Sequence, residues 1–105
     1  MLRETVYNGV DNAIDVILKK SGSAQDLSSV TRIKLLEEND AFELDSTTDT
    51  DVFTWTGLDY TGQVKMVLGL ESIPDGTYTA RLITIDPTYT NGLCWGEIEL
   101  KVVTP

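Results

Sequence analysis

The stretch Ser72-Ile73-Pro74-Asp75-Gly76-Thr77-Tyr78, which runs on into the alternating residues 77–86, decides the fold of this chain. Proline, aspartate and glycine in succession are typical of a tight turn. A tyrosine two positions past such a glycine is typical of a corner between two sheets, with its hydroxyl bonded backward to the backbone. We therefore interpret Asp75, Gly76 and Tyr78 as structural residues of a sandwich corner, and not as functional ones.

Alternating apolar residues predict strands on both sides of this corner. The predicted strands cover residues 13–20, 30–37, 41–44, 52–56, 63–68, 77–85 and 93–103. Turn signals such as Asn8-Gly9 and Asn91-Gly92 separate them, and a single helical turn is expected near residues 26–29. Short strands with regularly spaced turns predict an all-β fold, an immunoglobulin-like antiparallel β-sandwich of seven or eight strands.

The length and composition favour a single globular domain. The chain has 105 residues, of which 41% are apolar, and this fits one compact domain. We assign residues 1–12 to an N-terminal arm or first strand and residues 13–105 to one sandwich. With a single cysteine and no secretory apolar segment after Met1, we expect folding in a cytosol.

The net charge of −9 argues against nucleic acid as a partner, since phosphate binding requires a basic patch. It disfavours an anionic membrane surface for the same reason, and no apolar run is long enough to span a membrane. The acidic excess keeps the domain soluble, faces a basic surface on a partner protein, or binds a cation.

The sequence lacks histidine, the commonest general base and metal ligand. Cys94 is the single cysteine, so a zinc site or a base-activated thiol is not expected. Asp45, Asp49 and Asp51 share one loop, but their spacing does not match an EF-hand, and we expect them to be solvated. We predict a protein that is not an enzyme, with no catalytic residue, metal or cofactor.

Apolar residues that alternation places outside the core are candidates for a partner-binding surface. Ile83 and Ile85 share a strand face, and Trp95 on the next strand joins them if the two strands pair as a hairpin. A bulge at Gly96 that turns Trp95 inward is the alternative, as is cover by the N-terminal arm. The predicted partner-binding residues are Tyr7, Val67, Ile83, Ile85, Trp95 and Val103.

Three segments together resemble a family of small structural proteins from tailed-phage virions. They are "IDVILKKSGSAQDLSSVTRIKLLE", "VFTWTG" and "VKMVLGLESIPDGTYTARLITIDPTYTNGLCWGEIELKV", within residues 13–103. The resemblance implies an immunoglobulin-like, non-enzymatic virion component that is made and assembled in the host cytoplasm. It also implies contact with other virion proteins, among which the major capsid protein is favoured, and it leaves open whether copies of this chain form a homo-oligomer on the virion.

The sequence leaves the place and partner of such a protein open. Decoration of the capsid by protein–protein adhesion is the first interpretation. A tail, baseplate or fibre component that contributes to host attachment is the second, with residues 45–51 and 87–91 as recognition loops. A carbohydrate-binding module is the third, with Tyr60, Tyr89 and Trp95 as candidate exposed aromatics.

Overall fold

A computed structural model describes residues 2–20, 22–55 and 62–105, and that part of the chain contains strands and turns but no helix. The strands are β1 (Leu2–Tyr7), β2 (Ala13–Ile17), β3 (Lys19–Lys20), β4 (Ser23–Ala24), β5 (Arg32–Glu37), β6 (Glu43–Asp45), β7 (Phe53–Thr54), β8 (Gln63–Val67), β9 (Gly76–Ile85) and β10 (Leu93–Val103). The prediction of an all-β fold is confirmed. In place of the helical turn expected near residues 26–29, the structure has a turn at residues 28–29. The Asp26 carboxylate accepts a hydrogen bond from the Ser28 amide at 2.8 Å, a local bond that competes with a helix.

The strands form two main sheets. The larger has the order β1-β10-β9-β5-β6 and the smaller the order β2-β8-β7, while β3 and β4 pair separately. The pair β1 and β10 is parallel, with Leu2 opposite Ile98 and Tyr7 opposite Val103. β1 is therefore the exception to the antiparallel pairing found among the other described strands. After β1, the chain passes through the Asn8-Gly9 turn to β2, which belongs to the other sheet. β1 and its neighbour β10 are therefore not joined as a hairpin.

One hydrophobic core lies between the two sheets. The side chains that alternation places inward are Ile14, Val16, Leu18, Ile33, Leu35, Val64, Met66, Leu68, Tyr78, Ala80, Leu82, Ile98, Leu100 and Val102. All of these are buried except Tyr78, which is half-buried and packs against the same core. The two sheets thus supply facing apolar layers, as a β-sandwich requires.

The corner before β9 has the hydrogen bond that the sequence predicts. The Tyr78 hydroxyl donates to the Pro74 carbonyl oxygen at 2.6 Å. Its ring meets Phe42 edge to face, with 5.5 Å between ring centroids. Tyr78 therefore fixes the entry to β9 and closes one end of the core.

Asp75 does more than form the turn. Its carboxylate accepts hydrogen bonds from Asn8 Nδ2 at 2.9 Å and from the Thr104 hydroxyl at 2.9 Å. The same Asn8 nitrogen donates to the Ile73 carbonyl oxygen at 3.0 Å. The corner thus joins the turn after β1 and the C-terminal residues to the start of β9.

Candidate binding groove

A β-bulge interrupts β10 where it pairs with β9. Cys94 lies opposite Ile83 and Glu97 opposite Arg81, so three steps along β10 match two along β9. Gly96 has a φ of +108°, in a region that side chains with a Cβ rarely adopt. An extra residue of this kind re-aims the neighbouring side chain.

The side chain that the bulge redirects is Trp95. Its Nε1 donates to Thr84 Oγ1 at 2.8 Å, and Thr84 is only 2% exposed. Trp95 is half-buried and packs against the core. The alternative that the sequence left open, a bulge at Gly96 that turns Trp95 inward, is the arrangement that the structure has.

The predicted patch of Trp95 with Ile83 and Ile85 is therefore wrong. Ile83 and Ile85 alternate with the inward residues of β9 and so lie on the outer face of the larger sheet, where both are half-buried. A Cβ added at Gly92 would lie 2.6 Å from Ile83 Cγ2 and 3.4 Å from Ile85 Cγ1. Gly92, immediately before β10, therefore lies against this pair.

The remaining predicted partner-binding residues do not join that pair. Parallel pairing sets Tyr7 beside Val103 at the far end of β1 and β10, and Tyr7 is exposed while Val103 is half-buried. Val67 is half-buried on the smaller sheet, opposite Ala13 of β2. The structure distributes the predicted set over two sheets and does not form one surface from it.

A concave, largely apolar surface forms a groove of about 560 Å³ beside the bulge. Residues 15–19 form one wall, and residues 95–98 form the other. Leu82 contributes to the floor, and Leu2 stands at one end. Ile17 is 54% exposed and Leu2 41%, which is unusual for large apolar side chains that share one depression. We call this surface the bulge groove.

Strand edges bound the bulge groove on both sides. β2 is an edge of the smaller sheet. On the larger sheet, β1 covers β10 only from Ile98 onward, so within the described residues 93–97 pair with β9 alone. The sequence does not predict this site as a whole, because the site depends on where two sheets end. The signals that the sequence does contain are the possible bulge at Gly96 beside Trp95, and the position of Ile17 on the outward face of an alternating strand.

A second, smaller cavity of about 200 Å³ lies among the loops next to the groove. Its lining includes Gln25, Asp26, Asp86, Tyr89 and Trp95. Two of the aromatics proposed for carbohydrate binding are therefore close together, and Tyr89 is 49% exposed. The third, Tyr60, lies outside the described residues.

The acidic loop after β6 is organised by its own hydrogen bonds. Arg32 Nε donates to both carboxylate oxygens of Asp45, at 2.9 and 3.0 Å, and Arg32 Nη2 also contacts this carboxylate. Thr47 donates to Asp45 through its amide and its hydroxyl, and Asp49 accepts the Asp45 amide at 3.0 Å. Among the described residues, no group of three acidic or cysteine side chains is placed to hold a metal ion.

The Arg32 guanidinium, helped by the Thr47 donors, holds the pKa of Asp45 well below its usual range. A lowered pKa in the folded state means that the carboxylate stabilises the fold above the unfolded pKa, about 4, and loses this contribution as pH falls further.

We expect Asp45→Asn to lower the free energy of unfolding by about 2 kcal/mol at pH 7. Urea denaturation at several pH values should show this difference shrinking below pH 4. The exposed Asp11→Asn is the control, and a difference independent of pH would contradict the prediction.

The fold and the groove define a class: a two-sheet, all-β protein with an open apolar groove between strand edges. No known family model matches the chain, and no curated protein sequence is significantly similar to it. Within the described residues, no helix has the length and apolar character that crossing a membrane requires.

Proposed function

We propose that this protein is a non-enzymatic structural component of a tailed-phage virion that decorates the capsid by protein–protein adhesion. The observation that carries the proposal is the bulge groove, where Leu2 and Ile17 expose apolar surface in a domain of net charge −9. Contiguous apolar surface with a polar surround is typical of a protein contact. The partner favoured by the family resemblance is the major capsid protein.

The strand order supports the immunoglobulin-like part of this proposal. One sheet contains β10, β9, β5 and β6 in succession, and the other contains β2, β8 and β7. Immunoglobulin-like sandwiches divide their strands between two sheets in the same way. Their corner tyrosine lies near the start of one strand, and β9, with Tyr78 near its start, has the position of that strand. The fold thus agrees with the resemblance, although many unrelated functions use such sandwiches.

Adhesion at many equivalent sites explains how such a small domain would act. Repeated copies on a symmetric shell strengthen attachment through avidity when they contact one another or bridge subunits. Binding to the assembled shell alone stabilises that state by mass action. The acidic remainder of the surface would face solvent and keep particles apart.

The location is tested by immunogold labelling of particles purified from a lysate of the host. Label over the heads is the expected result. Label confined to tails would replace capsid decoration with the tail interpretation, and unlabelled particles would overturn the virion assignment.

The role of the groove is tested by capsid binding of Ile17→Lys. Because Ile17 is 54% exposed, the variant should fold, and we expect its affinity for capsids that lack this protein to fall at least tenfold. Leu70→Lys is the matched control, since Leu70 is 61% exposed and does not line the groove. Equal affinities of the two variants would contradict a contact through the groove.

The second candidate function is host attachment by a tail, baseplate or fibre component that binds carbohydrate. The cavity lined by Tyr89, Trp95, Asp26 and Asp86 favours it, since aromatic and acidic groups together suit a small polar ligand. Glycan-array binding that Tyr89→Ala abolishes would support this candidate. An array without any bound glycan would remove it.

A further inference from the structure

We infer that the bulge groove receives an extended, basic and apolar segment of the partner protein, which adds to the smaller sheet as a strand beside β2. This inference rests on the proposed adhesive function and specifies how the contact is made. Strand addition to an exposed sheet edge is a recurrent mode of peptide recognition. Main-chain hydrogen bonds give affinity, and alternate side chains give specificity.

The register of β2 shows which backbone groups are available. The Leu18 amide donates to the Gly62 carbonyl oxygen at 2.6 Å, at the continuation of the antiparallel pair in which Ile17 lies opposite Gln63. In such a pair the hydrogen-bonding direction alternates along the strand. The amide and carbonyl groups of Ala13, Asp15 and Ile17 therefore point away from β8, towards the free edge of the sheet.

The groove provides the place for the side chains of an added strand. A strand beside β2 would direct alternate side chains inward, over Leu82, Trp95 and Ile98. Apolar side chains at these positions would continue the core between the two sheets. The exposed apolar surface of Leu2 and Ile17 would be covered at the same time.

Charge complementarity selects a basic partner. Asp15 and Glu97 line opposite walls of the groove, with Lys19 as the one basic residue among its described lining. The whole chain has 17 acidic residues against 8 basic ones. A second copy of this chain would bring together two domains of charge −9, whereas a segment with outward lysine or arginine would be attracted.

The probe is a synthetic nonapeptide of alternating lysine and valine, titrated into the full-length protein and followed by amide hydrogen exchange. We expect saturation with the peptide to slow exchange at Asp15 and Ile17 by at least tenfold. The same peptide with N-methyl groups on its edge-facing amides should bind at least tenfold more weakly, and a glutamate–valine peptide should not bind. Binding without protection of these amides, or no binding of the lysine–valine peptide, would overturn the inference.

A pair of protein variants tests the backbone contact separately from the side chain. Ile17→Pro and Ile17→Ala both shorten the side chain, but only proline removes the outward amide. Proline is tolerated at an edge position whose amide faces solvent. We expect Ile17→Pro to bind the peptide about tenfold more weakly than Ile17→Ala, and equal affinities would contradict strand addition.

These results are distinguishable from failure of the proposed function. Labelled virions together with a peptide that does not protect β2 would leave the virion role intact and remove strand addition. Unlabelled particles together with clear protection would leave the edge as a strand-binding site in a protein of another function.

Discussion

Gly69→Ala is expected to lower the free energy of unfolding by about 3 kcal/mol or more, because the added methyl group meets backbone on two sides. A Cβ on Gly69 would press against the carbonyl oxygen of Val10 and lie 2.5 Å from that of Tyr7. Neither atom belongs to a side chain that can rotate away. The Gly9 amide also donates to the Gly69 carbonyl oxygen at 2.8 Å, so relief of the clash would break this contact.

Urea or thermal denaturation measures this effect, and Gly9→Ala provides the control. Gly9 lies in the facing turn with a φ of +82°, and an added Cβ would meet nothing within 4 Å. Only backbone strain is expected there, about 1 kcal/mol. If both variants lost the same stability, close packing of the two turns would not be the reason for a glycine at position 69.

The core could be predicted from the sequence because the alternation of apolar and polar residues within one strand shows which side chains face inward. In β8, Val64 and Met66 are buried while Gln63, Lys65 and Val67 are half-buried, as simple alternation requires. A period of two is a local property, and one chain segment is sufficient to observe it. The corner at Tyr78 was predictable for the same reason, since its turn and its hydrogen bond lie within a few residues.

The bulge and the strand partners are not local in this sense. Alternation along β10 fails at Trp95 because one extra residue changes which face each side chain occupies. Gly96 signals such a position but does not determine it. Likewise, the bonds between Arg32 and Asp45 require β5 and β6 to pair in one register, with Lys34 opposite Asp45.

The bulge groove depends even more on residues that are distant in sequence and are brought together by the two sheets. Ile17 and Leu2 become one apolar surface only because β2 ends the smaller sheet while β1 stops pairing at Ile98. Neither edge is visible in a single segment. Alternation correctly places Ile83 and Ile85 on the outer face of β9, whereas Trp95 lies on the opposite face, where it bonds to Thr84.

The largest expected effect at the site itself is that of Trp95→Ala. We expect a loss of about 3 kcal/mol in the free energy of unfolding, since the change removes a large side chain that packs on the core. Trp95→Phe should cost about 1 kcal/mol, because it keeps most of the ring and loses the hydrogen bond to Thr84. Urea denaturation with circular dichroism distinguishes the two. Wild-type stability in Trp95→Ala would place the side chain on the surface, where the patch with Ile83 and Ile85 required it.

Trp95→Ala and Trp95→Phe together also show whether weaker capsid binding results from lost stability or from a lost contact. Trp95 lines both the bulge groove and the neighbouring cavity, so weaker capsid binding by Trp95→Ala would follow from partial unfolding as readily as from a lost contact. Trp95→Phe retains an apolar aromatic ring in the wall of the groove, and we expect it to bind capsids within about threefold of the wild type (about 0.6 kcal/mol). Ile17→Lys should lose binding while it keeps its stability. A protein in which Trp95→Phe fails to bind while Ile17→Lys binds normally would use the loop cavity for its contact, and the groove would have no part in it.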